Sequence, residues 1–378
     1  MVHHFDISEF DDLYQDGELL SIVIQGSWLS ENIQDLALIC RHWRQMFPKA
    51  EIIVSVSTSD FIDFSLNTDE SIRLEVACAS FKIDTTRRKA LKILFNAADI
   101  IVKAHDELPL PPIKSDTQGL NHVNLQIQAS MAGLNYVSRK YTLRIRSDLC
   151  LMSKKFLDVY KKHALKMRGS YSTFTQRILI PEIFTINPLT LYRMPFHYSD
   201  WFHFGISEDI KNLWKEVRNV SFADSIYYEN HPFLKNANVL EKKFLTRLAV
   251  EQFIHFPYFK KKFPYLNLDH HNDTRSLNDS LYILADNFVV ANLTEIDAYI
   301  KKYQHVVKKI SKHTRVECIS QDILDSIIED PALLAHAIPT EQKKRSNHRM
   351  FWGYDLRTAL FRRGRKSINS VLRWYRNS

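Results

Sequence analysis

The residues with the clearest chemical potential lie in one run, Tyr-Thr-Leu-Arg-Ile-Arg-Ser-Asp-Leu-Cys-Leu, at residues 141–151. It sets Arg144, Arg146 and Asp148 at the carboxyl end of an apolar segment. A carboxylate there suits Mg2+ or Mn2+, hard cations that take one or two protein carboxylates and leave other positions to phosphate oxygens and water. Such an ion offsets charge on a departing diphosphate, and guanidinium groups bind phosphate oxygens through paired N–H donors. A solvated Ser-Asp turn, with the arginine stems lying along the surface, is the alternative. Two more acids stand among apolar residues. Asp200 falls in His-Tyr-Ser-Asp-Trp-Phe-His-Phe-Gly, residues 197–205, where rings could lie on sugar faces while the carboxylate takes a hydroxyl. Packing near a helix start is the plainer account of that run. Glu251 falls in Leu-Ala-Val-Glu-Gln-Phe-Ile-His, residues 248–255. An acid so placed must be paired, protonated or at a cleft. It could serve as a general base with a raised pKa or form a salt bridge to Arg247. The run His270-His271-Asn272-Asp273 reads more readily as a polar loop than as a metal site.

The elements that must position these groups follow an alternating pattern. Residues 19–25 read as a buried strand, 31–47 as an amphipathic helix with Ser30 as N-cap, and 51–57 as a second strand. A helix over 89–97, a strand over 99–103, a helix over 121–138 and a strand over 141–145 complete the first half. Strands alternating with helices imply an α/β fold with a mostly parallel sheet covered on both faces. Ligands of such sheets bind beyond the carboxyl ends of the strands, where strand order reverses. That singles out Gln25-Gly26-Ser27, Thr58 to Asp60, His105-Asp106 and Arg146 to Asp148. After Asp148 the pattern loosens: helices over 153–163, 207–218 and 241–255, and strands over 176–186 and 281–290. No Pro/Gly/Ser-rich linker separates the halves. Residues 1–340 are therefore read as one domain, with 19–150 as its nucleotide-binding half and 151–340 as its acceptor half.

Composition removes other classes. The chain has 378 residues and only eight glycines, none spaced as a Gly-x-Gly-x-x-Gly turn or a Walker loop. His-Glu-x-x-His and Gly-x-Ser-x-Gly are also missing. Dehydrogenase, P-loop ATPase, zinc-protease and α/β-hydrolase readings lose their support. Cys40, Cys78, Cys150 and Cys318 lack metal-ligand spacing and are expected as small buried residues in a reducing compartment. The acidic first 18 residues carry no secretory pattern, so a cytoplasmic location is expected. Of the net charge of +8, residues 341–378 supply 11 Lys/Arg against two acids. Their apolar positions, from Leu356 to Tyr375, fall near a helical stripe, as in an interfacial helix on an anionic membrane. A helical extension is expected there. It could also dock on the protein's own body or bind nucleic acid.

The ordered motifs resemble the WavE lipopolysaccharide-synthesis family. They comprise Ile24-Gln25-Gly26, then Arg44 to Pro48 leading into a strand, His105-Asp106 after a later strand, and Asn121 to Gln126 leading to Gly133-Leu134. Arg146-Ser147-Asp148, Ser199-Asp200-Trp201-Phe202 and Glu251-Gln252 complete the set. The turn at Asp106 departs from the family's Asp-Pro-Gly, and Leu125 stands where an arginine is usual. The resemblance implies a GT-A-like, Rossmann-type sheet and a glycosyltransferase that moves sugar from a nucleotide sugar to a lipid-linked or core oligosaccharide. It implies Asp148 as ligand of Mn2+ or Mg2+ and of the diphosphate. Gln25, Gly26 and Asp106 become nucleotide contacts, while Arg144 and Arg146 face donor phosphate or hold the strand end. Asp200 and Glu251 stand on the acceptor side as catalytic candidates. The expected setting is the inner face of the cytoplasmic membrane, approached through the basic tail, on whose pattern and not on the resemblance that expectation rests, with no nucleic-acid partner. A sugar-phosphate transferase on the same scaffold, or a non-catalytic membrane- or nucleic-acid-binding subunit, are the alternatives.

Overall fold

The structure is a computed structural model, and it describes residues 7–26, 33–57, 85–117, 119–190, 192–300 and 318–329. Ser27, Ser30, Thr58 to Asp60, Cys78 and the basic tail lie outside the described residues. By its internal contacts the chain divides into a unit Met1–Ile328 and a unit Glu329–Ser378.

In chain order the helices are α1 (Ile7–Gln15), α2 (Ile33–Met46), α3 (Thr85–Ala97), α4 (Val123–Leu134), α5 (Lys155–His163), α6 (Ser207–Lys215), α7 (Phe222–Ser225), α8 (Tyr227–Asn230), α9 (Val250–Lys262), α10 (Leu277–Asn287) and α11 (Gln321–Glu329). The strands are β1 (Leu20–Gln25), β2 (Glu51–Ser57), β3 (Ile100–Ala104), β4 (Tyr141–Arg146), β5 (Leu149–Leu151), β6 (Ile178–Pro181), β7 (Phe202–Ile206), β8 (Phe288–Ala291) and β9 (Ala298–Ile300). Seven strands form one sheet in the order β3-β2-β1-β4-β7-β6-β8, and β5 pairs with β9 in a small second sheet. Only β7 runs antiparallel to its neighbours β4 and β6. The expected α/β architecture, a mostly parallel sheet flanked by helices, is present.

The two faces of this sheet differ because side chains alternate along each strand. Leu20, Ile22 and Ile24 of β1, Ile52 and Val54 of β2, and Leu143 and Ile145 of β4 join one core with Trp43 of α2, Leu94 of α3 and Phe156 of α5. The other face carries Ser21, Ser55, Thr142, Arg144 and His203, all buried. Helix α4 lies across β1, β2 and β3 there. A Cβ on Gly133 would stand 2.5 Å from a Val23 methyl, so only glycine permits that approach. Placing arginine and histidine under helices costs solvation unless each finds partners.

Two expectations need correction. Residues 281–290 read as a strand, yet 281–287 belong to α10 and only Phe288–Ala291 is extended. Leu277, Leu281 and Leu284 have helical spacing, and Asp286 and Asn287 end the helix by accepting amide hydrogens from Gly169, Tyr171 and Thr173. The helix over 241–255 is a short 3-10 turn, Glu241–Lys243, then irregular chain, then α9. Gln252 fixes that later start: its Oε1 accepts from Ala249 N, and its Nε2 donates to the carbonyls of Pro195 and His271. Helix α1 was not anticipated. Cys40, Cys150 and Cys318 are buried, as expected.

Candidate active site

Strand order reverses between β1 and β4, which are parallel neighbours with Gln25 opposite Arg146. The chain runs from β1 outward to β2 and β3, then crosses back to β4. The crevice above this pair is where an α/β sheet receives a ligand. Ser147 N donates to the Gln25 carbonyl at 2.9 Å, sewing the two strand ends together. A Cβ on Gly26 would stand 1.9 Å from Ser147 Oγ, so glycine is needed for the turns to meet.

Arg146 and Asp148 lie at this crevice. Arg146 Nε donates to Asp148 Oδ1 at 2.9 Å and Nη2 to Oδ2 at 2.7 Å, a fork in which both oxygens are engaged. The side chains keep 26% and 33% of their exposure. The guanidinium also lies 5.4 Å from the centre of the Trp201 ring. Each carboxylate oxygen has a second lone pair, so Asp148 can still offer a cation one oxygen. Among the described residues no group of three or more His, Cys, Asp or Glu is arranged to hold a metal. Any further ligands would come from the donor and water, a common arrangement for Mg2+.

Arg144 lies two residues earlier in β4. It is fully buried, donates through Nε to Ser130 Oγ at 3.1 Å and through Nη1 to the Asp200 carbonyl, and stacks 4.5 Å from the Trp214 ring centre. Burial, with some repulsion from Arg146, pushes its pKa down to about 9 against the pull of Asp200. Asp200 is itself buried, and its Oδ2 accepts from Gln126 of α4. Asp106 is exposed, two residues past the sheet's edge strand β3, with β2 between that strand and β1. The structure therefore brings together Gln25, Gly26, Arg146 and Asp148, places Arg144 and Asp200 beneath them, and leaves Asp106 to one side.

Glu251, in the first turn of α9, has 13% of its side-chain surface exposed. Burial, then the nearby Asp200 carboxylate, pushes its pKa up to about 8, against the pull of Lys114 and Arg146. Its Oε2 lies 3.2 Å from His197 Nε2. Burial lowers the His197 pKa to about 4. His197, Gln126 and Trp201 stand in the sequence only as members of longer runs, and nothing there marks Lys114. His197 and Trp201 stand in the run already noted for Asp200, but their partners lie about fifty residues away along the chain.

Behind Glu251 runs a directed hydrogen-bond chain. The Trp214 indole N–H can only donate, and it points at His203 Nδ1 at 3.3 Å. His203 Nε2 must then carry the hydrogen toward His255 Nε2 at 3.2 Å. His255 Nδ1 in turn donates to the Glu251 carbonyl at 2.7 Å. The donor-only and acceptor-only ends assign both tautomers. Both imidazoles are neutral in this arrangement, and burial pushes both pKa values down, that of His255 to about 4.

Comparison with known proteins adds three findings. No protein of curated function matches the chain. Among solved structures, an active-site mutant of LgtC matches with a TM-score of 0.25 and 7% identity, over 50% of this chain and 59% of that one. That likeness is too slight to say anything of this chain. A model described as WavE lipopolysaccharide synthesis matches residues 70–315, a span that contains Asp106, Arg144, Arg146, Asp148, Asp200 and Glu251 but not Gln25 or Gly26. By that match the chain belongs to the WavE lipopolysaccharide-synthesis family.

Proposed function

We propose that the protein is a glycosyltransferase that moves a sugar from a nucleotide-sugar donor to a lipopolysaccharide-core or other surface-glycan acceptor, with Mg2+ or Mn2+ assisting at Asp148. One observation carries the reading: a guanidinium–carboxylate fork stands at the strand-order reversal, and a second, dry carboxylate shares its surroundings. A nucleotide sugar needs a place for its diphosphate and a group to take the acceptor's proton.

In this reading Arg146 binds a phosphate oxygen while Asp148 holds its guanidinium flat above the crevice. Bidentate anchoring on Asp148 presets the guanidinium and lowers the entropy of placing it against a phosphate. Asp148 would hold the divalent cation, which would supply Lewis-acid offset of the charge that builds on the leaving diphosphate. Gly26 and Ser147 close the strand ends so that the donor sits against backbone. Trp201 supplies a flat apolar wall beside Arg146. Glu251 accepts the proton of the acceptor hydroxyl, its affinity for that proton raised by burial and then by Asp200. The basic tail, residues 341–378, brings the enzyme to an anionic membrane surface. Among the described residues no helix is long and apolar enough to cross a membrane.

The test is a screen of nucleotide sugars with Mn2+ or Mg2+, reading released nucleoside diphosphate in wild type and Asp148→Ala. One donor should bind only with cation, release diphosphate, and lose both properties in the variant. Turnover unchanged in Asp148→Ala would return that residue to a solvated turn and sink the assignment. Flotation of the full chain, but not of residues 1–340, with anionic vesicles tests the tail.

A further inference from the structure

The hydrogen-bond directions around His197 are fixed by groups that can act in only one sense. His197 Nδ1 lies 2.9 Å from the Phe184 carbonyl. A carbonyl only accepts, so Nδ1 carries the hydrogen. The ring is 7% exposed, and burial keeps it neutral. Nε2 therefore presents a lone pair, and it faces Glu251 Oε2 at 3.2 Å. An ionised carboxylate is also acceptor-only. Two acceptors facing at that distance need a hydrogen between them, and the remaining source is the Glu251 carboxyl.

The backbone is built to hold this geometry. His197 is clamped to the 184–186 segment from two sides, since Ile186 N also donates to the His197 carbonyl at 2.9 Å. On either side of it, Phe196 N donates to Ser280 Oγ at 2.7 Å and the Tyr198 hydroxyl to the Ser280 carbonyl at 2.6 Å. Phe184 and Phe196 both adopt left-handed backbone, with φ of 63° and 60°. That conformation is strained for a bulky residue, and such strain gathers at functional sites. Here it aims both the carbonyl that fixes the tautomer and the chain that carries the imidazole. The charged groups facing Glu251 are Asp200, which favours the protonated form, and Lys114 and Arg146, which oppose it. Lys114 and Asp200 also face His197.

We propose that His197 is a positioning residue for Glu251: the two share one proton across the Oε2–Nε2 contact, and Glu251 takes the acceptor's proton only after the pair has shed its own. The proposal rests on the transferase reading for its catalytic consequence, but not for the proton pair itself. In the transfer, the acceptor O–H bond breaks and its proton forms an O–H bond on Glu251. The freed oxygen pair bonds to the anomeric carbon, and the bond from that carbon to the diphosphate breaks with its electrons leaving on the diphosphate. The new carboxyl hydrogen is received by the Nε2 lone pair.

The pair is tested on the full chain by nitrogen NMR of 15N-histidine-labelled protein across pH, in wild type and Glu251→Gln. His197 should show a protonated Nδ1 and a lone-pair Nε2 at neutral pH. Its Nε2 signal should step once near pH 8, and that step should vanish in Glu251→Gln. A protonated Nε2 at neutral pH, or a step that survives Glu251→Gln, overturns the pair. In kinetics, His197→Asn replaces an acceptor with an amide donor that favours the carboxylate. The acid limb of kcat/KM should move down by about one pH unit or more, which packing damage alone would not do. A limb that stays in place overturns the positioning role. If the NMR step behaves as expected and no donor is turned over, the pair stands and the transferase reading alone falls.

Discussion

Two carboxylates stand near the same crevice, and the protein stabilises them by opposite means. Asp148 is a third exposed and meets a guanidinium in a two-pronged fork, so its counter-charge is a fixed cation. Glu251 is nearly dry, meets a neutral imidazole at 3.2 Å, and is neutralised by a proton. The first arrangement keeps a permanent charge pair where a phosphate can exchange into it. The second keeps a removable charge, which is what acid–base work needs. Local dielectric separates the roles more than residue type does, since both are plain acids.

The largest effect should come from removing the removable charge. Glu251→Gln keeps the contact to His197 and the start of α9, yet should lower kcat by about 10²–10⁴-fold with an unchanged circular-dichroism spectrum. A variant with wild-type kcat would dissolve the distinction between the two carboxylates. Next, Asp148→Asn frees Arg146 and weakens cation binding. It should raise donor KM or lower kcat by about a hundredfold, and added Mn2+ should recover part of the loss.

A stability profile sharpens the contrast further. The pKa values of His197, His255 and His271 are each lowered to about 4 from 6.5, chiefly by burial. Between those values the unfolded chain binds more protons, so stability rises with pH, by about 1.4 kcal/mol per unit for each histidine. Glu251, raised from 4.5 to about 8, has the opposite sign. The native state holds its proton longer, and stability falls as pH rises through that interval. Above pH 6.5 the histidine contributions are complete and that of Glu251 is not. Melting temperature should therefore peak near pH 6.5, with the alkaline slope flattened in Glu251→Gln. A profile still rising from 6.5 to 8 would speak against the protonated carboxyl.

The smallest effect concerns the turn that seats the donor. Gly26→Ala pushes a methyl into Ser147 and should cost about 1–3 kcal/mol in urea unfolding. Ser147→Ala in the same chain should recover only part of it, because the Ser147 Cβ alone would be 2.8 Å away.

The legibility of the chain follows the same division. Strands β1, β2 and β4 show in the sequence because each is a short β-branched run ended by a turn, and Arg146-Ser147-Asp148 shows because it interrupts one. Residues 281–287 mislead because a short buried apolar stretch fits either period; the helical spacing shows only when Leu277 is counted in, and Asp286 and Asn287, bonded across the fold, end the helix. Asp200 and Glu251 draw notice as acids in apolar company, a signal of burial that cannot name a partner. His197 is hidden for that reason: its meaning depends on a carbonyl at Phe184 and a carboxyl at Glu251, and neither lies beside it in the chain. Arg144 and Arg146 look alike in sequence, and the helices above them decide which is buried.

The chain of hydrogen bonds from Trp214 through His203 and His255 to the Glu251 carbonyl has only one sense of travel. Each nitrogen's role is set by its neighbour, so no single link can reverse without placing two hydrogens, or two lone pairs, face to face. It therefore works as a key with a handedness, accepting α9 against β7 and α6 in one seating and rejecting a helix slid by a residue. The acid at the head of that helix is aligned before any substrate arrives, and a shift in its aim would first have to break a lock one turn further along the same helix.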